Sequence, residues 1–235
     1  MHQHETHLHP TAQEIKDLDL RVEISEEEIN TAIKQIAFYL NNKYTTKNNV
    51  VLMCMLNGAK PFFDKLTPKL TFNPNIDYIK ISCYGESTEP SEAKLTQKPN
   101  TTNFLEKTII LIDELIDSGR TLETAKKYFL SQSESKAVFT VSLFNRTIEN
   151  RQFNADLTGM DIIFPQERFL IGFGLDYKNR FRNLVNVYSM RKPDLANTIP
   201  ISSNELLPSL INISHQSMPS DSKPEQVNES PAKCF

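Results

Sequence analysis

The sequence predicts an α/β fold built round a central, mainly parallel sheet flanked by helices, and three observations carry that expectation. VVLMCML at 50–56, TIILID at 108–113 and AVFTVSLF at 137–144 are apolar runs without polar alternation. A strand apolar on both faces needs cover on both faces, as in a parallel sheet. Helix-patterned segments follow the first two runs, and each of the three ends in polar residues suited to a site at the carboxyl edge of such a sheet.

The chain opens with polar residues 1–17, including His2, His4, His7 and His9, and this stretch is expected to be disordered. A helix is predicted from 26 to about 41. Ser25 and Glu28 form an S-x-x-E capping box, with Ile24 and Ile29 at the staple positions. Ile29, Ile33, Ile36, Ala37 and Leu40 then recur on one face. The strand at 50–56 leads through NGAKPFF into a second helix, where Pro61 is tolerated in the first turn. Residues 76–81 read as a strand. Residues 84–106 are polar and read as a long loop or flap. After the strand at 108–113 comes a helix at about 121–130, then the strand at 137–144. Shorter strands are expected near 161–164, 169–173 and 184–188.

Residues 18–190 thus form the folded part. The tail, 191–235, holds six of the thirteen prolines and eight serines without a sustained apolar period, and is expected to be mostly disordered. A formal charge of −3 gives no general attraction to nucleic acid polymers or anionic lipid. No stretch approaches eighteen apolar residues, so no membrane span is expected. Cys54, Cys83 and Cys234 are too scattered for a disulfide scaffold, and a reducing cytoplasm is the expected compartment. No histidine lies between positions 10 and 214, which removes histidine-based catalysis from the core.

The richest segment is TIILIDELIDSGRTL at 108–122. An apolar strand ends in Asp113 and Glu114, and Asp117-Ser118-Gly119-Arg120-Thr121 leads into a helix. Gly119 permits a tight turn. Exposed amides at a helix start, with two hydroxyls, make a cradle for a monophosphate. No G-x-x-x-x-G-K-[ST] is present, so this is not a Walker loop. Two carboxylates at the end of a buried strand are costly unless donors or a metal meet them, and sugar hydroxyls with a hydrated Mg²⁺ would do so. A capped turn with a solvated acidic pair is the plainer alternative.

This block resembles the phosphoribosyl-pyrophosphate (PRPP) motif of the type I phosphoribosyltransferases. ISEEEI at 24–29, LNG at 56–58, SCYG at 82–85 and IGFGLDYKNRFRNL at 171–184 resemble the hypoxanthine-guanine phosphoribosyltransferase branch. The likeness spans about 20–190. It implies a small hood over the sheet, built from the N-terminal region and the segments after 145. It also implies transfer of 5-phosphoribosyl from PRPP to N9 of hypoxanthine or guanine, giving IMP or GMP and pyrophosphate. On that resemblance Asp113 and Glu114 hold the ribose hydroxyls, Ser118, Gly119, Arg120 and Thr121 the 5-phosphate, and Asp117 acts as acid/base at N7. Leu56, Asn57 and Gly58 match the pyrophosphate turn, where a cis peptide is common. Arg182 matches an arginine aimed at pyrophosphate, and Cys83 and Tyr84 match the flap. Asn145 with Ile162 and Ile163 (or Phe164) falls at the base, and Glu167, with Asp113 and Glu114, near Mg²⁺. Homodimers or homotetramers are usual in the family.

Departures from the pattern bear on function. Asn57 and Asn145 stand where the family has lysine. Asn145 donates N–H groups without a charge, so weaker recognition of a 6-oxo group is expected. DIIFPQERF at 161–169 is about two residues short of the base-stacking segment. These changes leave open a different purine such as xanthine, or a PRPP- or nucleotide-binding sensor of feeble turnover.

Overall fold

The structure, a computed structural model, describes residues 8–44, 49–83, 93–100, 103–132, 135, 137–148, 151, 153–163 and 168–191. Predicted features at Tyr84, Phe164, Glu167 and the tail beyond 191 lie outside the described residues.

The expectation of a disordered start is corrected from residue 8 onward. Thr11 and Glu14 make a second capping box for a short helix, α1 (Ala12–Asp17), and the Val185 amide donates to the Leu8 carbonyl. The polar composition concealed a local cap. Strand β1 (Arg21–Ile24) follows, then α2 (Glu26–Tyr44). The predicted box at α2 is formed: Ser25 N donates to Glu28 Oε2 at 2.8 Å, and Glu28 N donates to Ser25 Oγ at 3.3 Å. Such a cap contributes about 1 kcal/mol. Ile29, Ile33, Ile36, Ala37 and Leu40 are all buried, as the 3.6-residue period requires.

The main sheet contains β2 (Val50–Leu56), β3 (Asn75–Cys83), β4 (Ala93–Gln97), β5 (Thr108–Ile116), β6 (Ala137–Arg146) and β7 (Leu157–Ile162). Its order is β4-β3-β2-β5-β6-β7, parallel except for β4. Helices α3 (Lys60–Leu66) and α4 (Arg120–Gln132) follow β2 and β5. Residues 50–55 and 108–113 are buried without interruption, which is why those runs carry no alternation.

Two corrections concern the sheet. The stretch read as a loop at 84–106 contains β4, an antiparallel edge strand. Its AKLTQ sequence is polar because one face looks to solvent, so no apolar run marked it. Of the late strands, the one at 168–171 falls at the expected 169–173, while those expected near 161–164 and 184–188 form a few residues away, at 157–162 and 187–191. β7 lies at 157–162 and joins the main sheet rather than the hood. The hood is a three-stranded sheet of order β1-β9-β8, with β8 (Arg168–Ile171) and β9 (Val187–Arg191). Leu20, Ile171, Phe181, Leu184, Tyr188 and Met190 form a second small core within it.

Candidate active site

The carboxyl ends of β2, β5 and β6 converge as the topology demands. At the first, the Leu56–Asn57 peptide is cis. Gly58 is pressed from two sides. A Cβ at Gly58 would stand 1.6 Å from a Glu114 carboxylate oxygen, and one at Gly174 would stand 2.1 Å from the Gly58 carbonyl oxygen. The turn 56–58, the acidic pair and the 171–184 block are therefore in direct contact, although they lie far apart in sequence.

Asp113 and Glu114 occupy the last turn-facing part of β5. Asp113 is 7% exposed, and the Glu114 amide donates to its carboxylate at 3.1 Å. Burial pushes the Asp113 carboxyl up to about 6. Burial first, and the neighbouring Asp113 second, hold Glu114 well above the usual carboxylate range, while the Arg182 guanidinium pulls the other way. Such a pair is poised for ligands that donate hydrogen bonds or bring positive charge.

The phosphate-type turn follows. Gly119 has φ +83°, and a Cβ there would stand 2.5 Å from the Phe153 carbonyl oxygen. Conformation and close approach both call for glycine. Ser118 Oγ accepts from the Arg120 amide at 3.4 Å, and Glu123 N bonds Gly119 O at 2.9 Å to start the helix. A small pocket here is lined by Asp113, Asp117, Ser118, Gly119 and Thr121. Arg120 is exposed, so this turn presents backbone and hydroxyl groups more than a charged side chain.

Across the pocket, Asp117 is gripped by a residue the sequence reading did not single out. Arg146 Nη1 donates to both Asp117 carboxylate oxygens, at 2.9 and 3.0 Å. The neighbouring Asn145 side chain is also engaged. It donates to Asp161 at 2.5 Å and accepts from Arg151 Nη1 at 2.5 Å, and Arg151 Nη2 donates to the Arg146 carbonyl. Arg151 and Asp161 were not legible as partners because one lies in the β6–β7 connection and the other meets Asn145 only through the pairing of β7 with β6. Ile162 points into the core at 6% exposure, a correction to its expected place at the base; strand alternation leaves Ile163, 80% exposed, on the open side.

At the rim, Arg182 donates to the Gly174 carbonyl at 2.6 Å and pairs with Asp176 at 2.6 Å. Asp176 lay within the LDY stretch, yet only the fold shows that it holds this arginine. Cys83 ends β3 opposite Ala93. Among the described residues no three acidic, histidine or cysteine side chains gather as a metal cage. The buried oxygen pair of Asp113 and Glu114 nonetheless suits Mg²⁺, which is usually bound through one or two carboxylates together with substrate phosphates and water.

The sequence profile of the phosphoribosyl transferase domain matches residues 23–178. A hypoxanthine-guanine phosphoribosyltransferase of Streptococcus thermophilus (strain CNRZ 1066) is 34% identical over 166 residues, covering 70% of this chain and 89% of that protein. Among solved structures, a hypoxanthine-guanine phosphoribosyltransferase of Bacillus anthracis superposes with a TM-score of 0.64 at 28% identity, covering 72% of this chain and 98% of the other. A hypoxanthine phosphoribosyltransferase of Staphylococcus aureus gives 0.67 at 24% identity, over 77% and 97%, and bears on the fold alone.

Proposed function

The chain belongs to the phosphoribosyl transferase domain family, and from that premise we infer that it transfers the 5-phosphoribosyl group of PRPP to N9 of hypoxanthine or guanine, in purine salvage. The observation that supports the reading is the junction of Gly58, Glu114 and Gly174, where the 56–58 turn, the acidic pair and the block that carries Arg182 meet.

In this reading the Asp113 and Glu114 carboxylates accept hydrogen bonds from the ribose hydroxyls, which offsets the cost of their burial. The amides and hydroxyls of 118–121 hold the 5-phosphate, so binding energy from the remote end of the substrate fixes C1 in place. N9 of the purine attacks C1 as the C1–O bond to pyrophosphate breaks, and the bonding pair leaves with pyrophosphate. The N7 proton passes to the Asp117 carboxylate, and the N7–H electrons return to the ring. Leu56, Asn57, Gly58 and Arg182 face the leaving group. Asp113 and Glu114, together with the substrate's own oxygens, would hold Mg²⁺, which when bound would supply positive charge for the leaving group. Glu167 is a further proposed contact. Asn145, with its oxygen and one N–H engaged, keeps a second N–H for the base edge, and Ile163 offers an apolar surface beside it. Dimers or tetramers remain the proposed assembly.

Incubation with PRPP, Mg²⁺ and hypoxanthine, guanine or xanthine tests the reading through nucleotide and pyrophosphate formation. Product from hypoxanthine or guanine is expected; PRPP binding without product from any base would overturn it. Asp117→Asn is expected to slow nucleotide formation by about 10²–10⁴-fold, with PRPP affinity kept.

A further inference from the structure

We propose that Arg146 is a positioning residue for Asp117, fixing the carboxylate that exchanges the purine N7 proton. The inference rests on the acid/base role assigned to Asp117 above and goes beyond it. Its basis is geometric. One guanidinium nitrogen bonds both carboxylate oxygens almost equally, so the open end of the Asp117 carboxylate is aimed at Arg146. Asp117 itself sits in a turn that ends in a positive-φ glycine, a place with little intrinsic hold on a side-chain rotamer.

Arg146 is in turn well anchored. It is the last residue of β6 and registers with Ile162 of β7. Its carbonyl accepts from Arg151, which also holds Asn145. The orientation of Asp117 is thus referred to the β6–β7 edge rather than to the loop that carries it. A carboxylate has about four lone-pair sites. Arg146 uses two of them through a single nitrogen, so each oxygen retains a free direction toward a base. The pair is largely shielded, with side-chain exposures of 32% for Arg146 and 13% for Asp117, so salt and water weaken it little.

Arg146 moves no proton and touches no reacting atom in this account. Its removal should therefore act on the chemical step and only where Asp117 is present to be positioned. The test is a double-mutant cycle on the full chain, read by single-turnover formation of nucleotide from PRPP and hypoxanthine. Arg146→Met is expected to slow that step by about 10–100-fold, the scale of a small misplacement of a catalytic group. The KM for PRPP should stay within about two-fold. Arg146→Lys should recover most of the loss. In an Asp117→Asn background, Arg146→Met should change the rate by less than about two-fold. An equal loss in both backgrounds, an Arg146→Lys variant no faster than Arg146→Met, or an effect confined to the KM for PRPP would each overturn the positioning role. Full activity in Asp117→Asn alone would instead remove the acid/base reading, and the positioning role with it. If Arg146→Met fails to fold, the same comparison is made between Arg146→Lys and Arg146→Gln.

Discussion

Gly58 shows how little room the site leaves at the level of single atoms. The space a Cβ would need is filled by the Glu114 carboxylate. The crowding atoms are the far end of the Glu114 side chain, so the carboxylate would have to swing while the β5 backbone that carries it stays in place. Gly58→Ala should therefore displace either the 56–58 turn or the Glu114 carboxylate proposed to face the ribose. Transferase activity is expected to fall by about 10²-fold, the usual consequence of moving a binding group by an ångström, with the larger change in PRPP affinity. Unchanged PRPP affinity by calorimetry would show that the contact can relax. The strand end, the acidic pair and the glycine turn after them were legible in the sequence because each is a local feature: a strand ends, acids follow, a glycine turns the chain. Arg146, Arg151, Asp161 and Asp176 were not, since what each does depends on a partner that only the folded chain supplies.

Elements were readable where one physical signal dominated. The covered strands had only apolar residues to show, and α2 had both its cap and its stripe. Strand β4, the place of β7 in the main sheet and the ends of β7 and β9 escaped because edge and half-covered strands are specified by their neighbours as much as by their own residues. The same dependence has a testable form in the segment behind the phosphate turn. Asp156 accepts from the Thr140 amide at 2.8 Å and the Thr140 hydroxyl at 2.7 Å, and it pairs with Lys126 of α4 at 3.2 Å. Three residues earlier, the Phe153 carbonyl backs Gly119. Asp156→Ala would leave the amide and hydroxyl donors of the wholly buried Thr140 without their carboxylate acceptor, although the residue 156 amide would still donate to the Thr140 hydroxyl. A loss of about 1–3 kcal/mol in urea unfolding is expected, together with weaker phosphate binding. Weaker stability with intact PRPP binding would mean that the backing segment holds the sheet but not the turn.

For the molecule as a whole, the buried acidic pair sets function against stability. Asp113 has a folded-state pKa raised to about 6 from an ordinary 3.8, and Glu114 is raised as well. Raised acids favour the protonated form in the folded state. Their contribution is therefore fully present below the unfolded value and is lost as pH rises through the folded one. The ligand-free protein should lose this share of its stability from about pH 4 through about pH 6, and beyond as Glu114 ionises. Asp19, Glu26 and Glu28 are lowered by partners and slope the other way, but they are solvent-exposed and screened. The pair's share is isolated by comparison with Asp113→Asn, which removes one of the two buried charges. That variant should unfold at a higher temperature than the natural sequence at pH 8, and the gap should narrow toward pH 4. PRPP with Mg²⁺ should reverse the order, because hydroxyl donors and a cation stabilise the ionised pair and any ligand that prefers the folded state raises its melting temperature. The ligand-induced shift in the natural sequence should then be larger at pH 8 than at pH 5, and nearly absent in Asp113→Asn. Parallel melting curves for the two proteins across this range, with equal response to PRPP, would mean that the two carboxylates are not held against their own ionisation for the sake of the substrate.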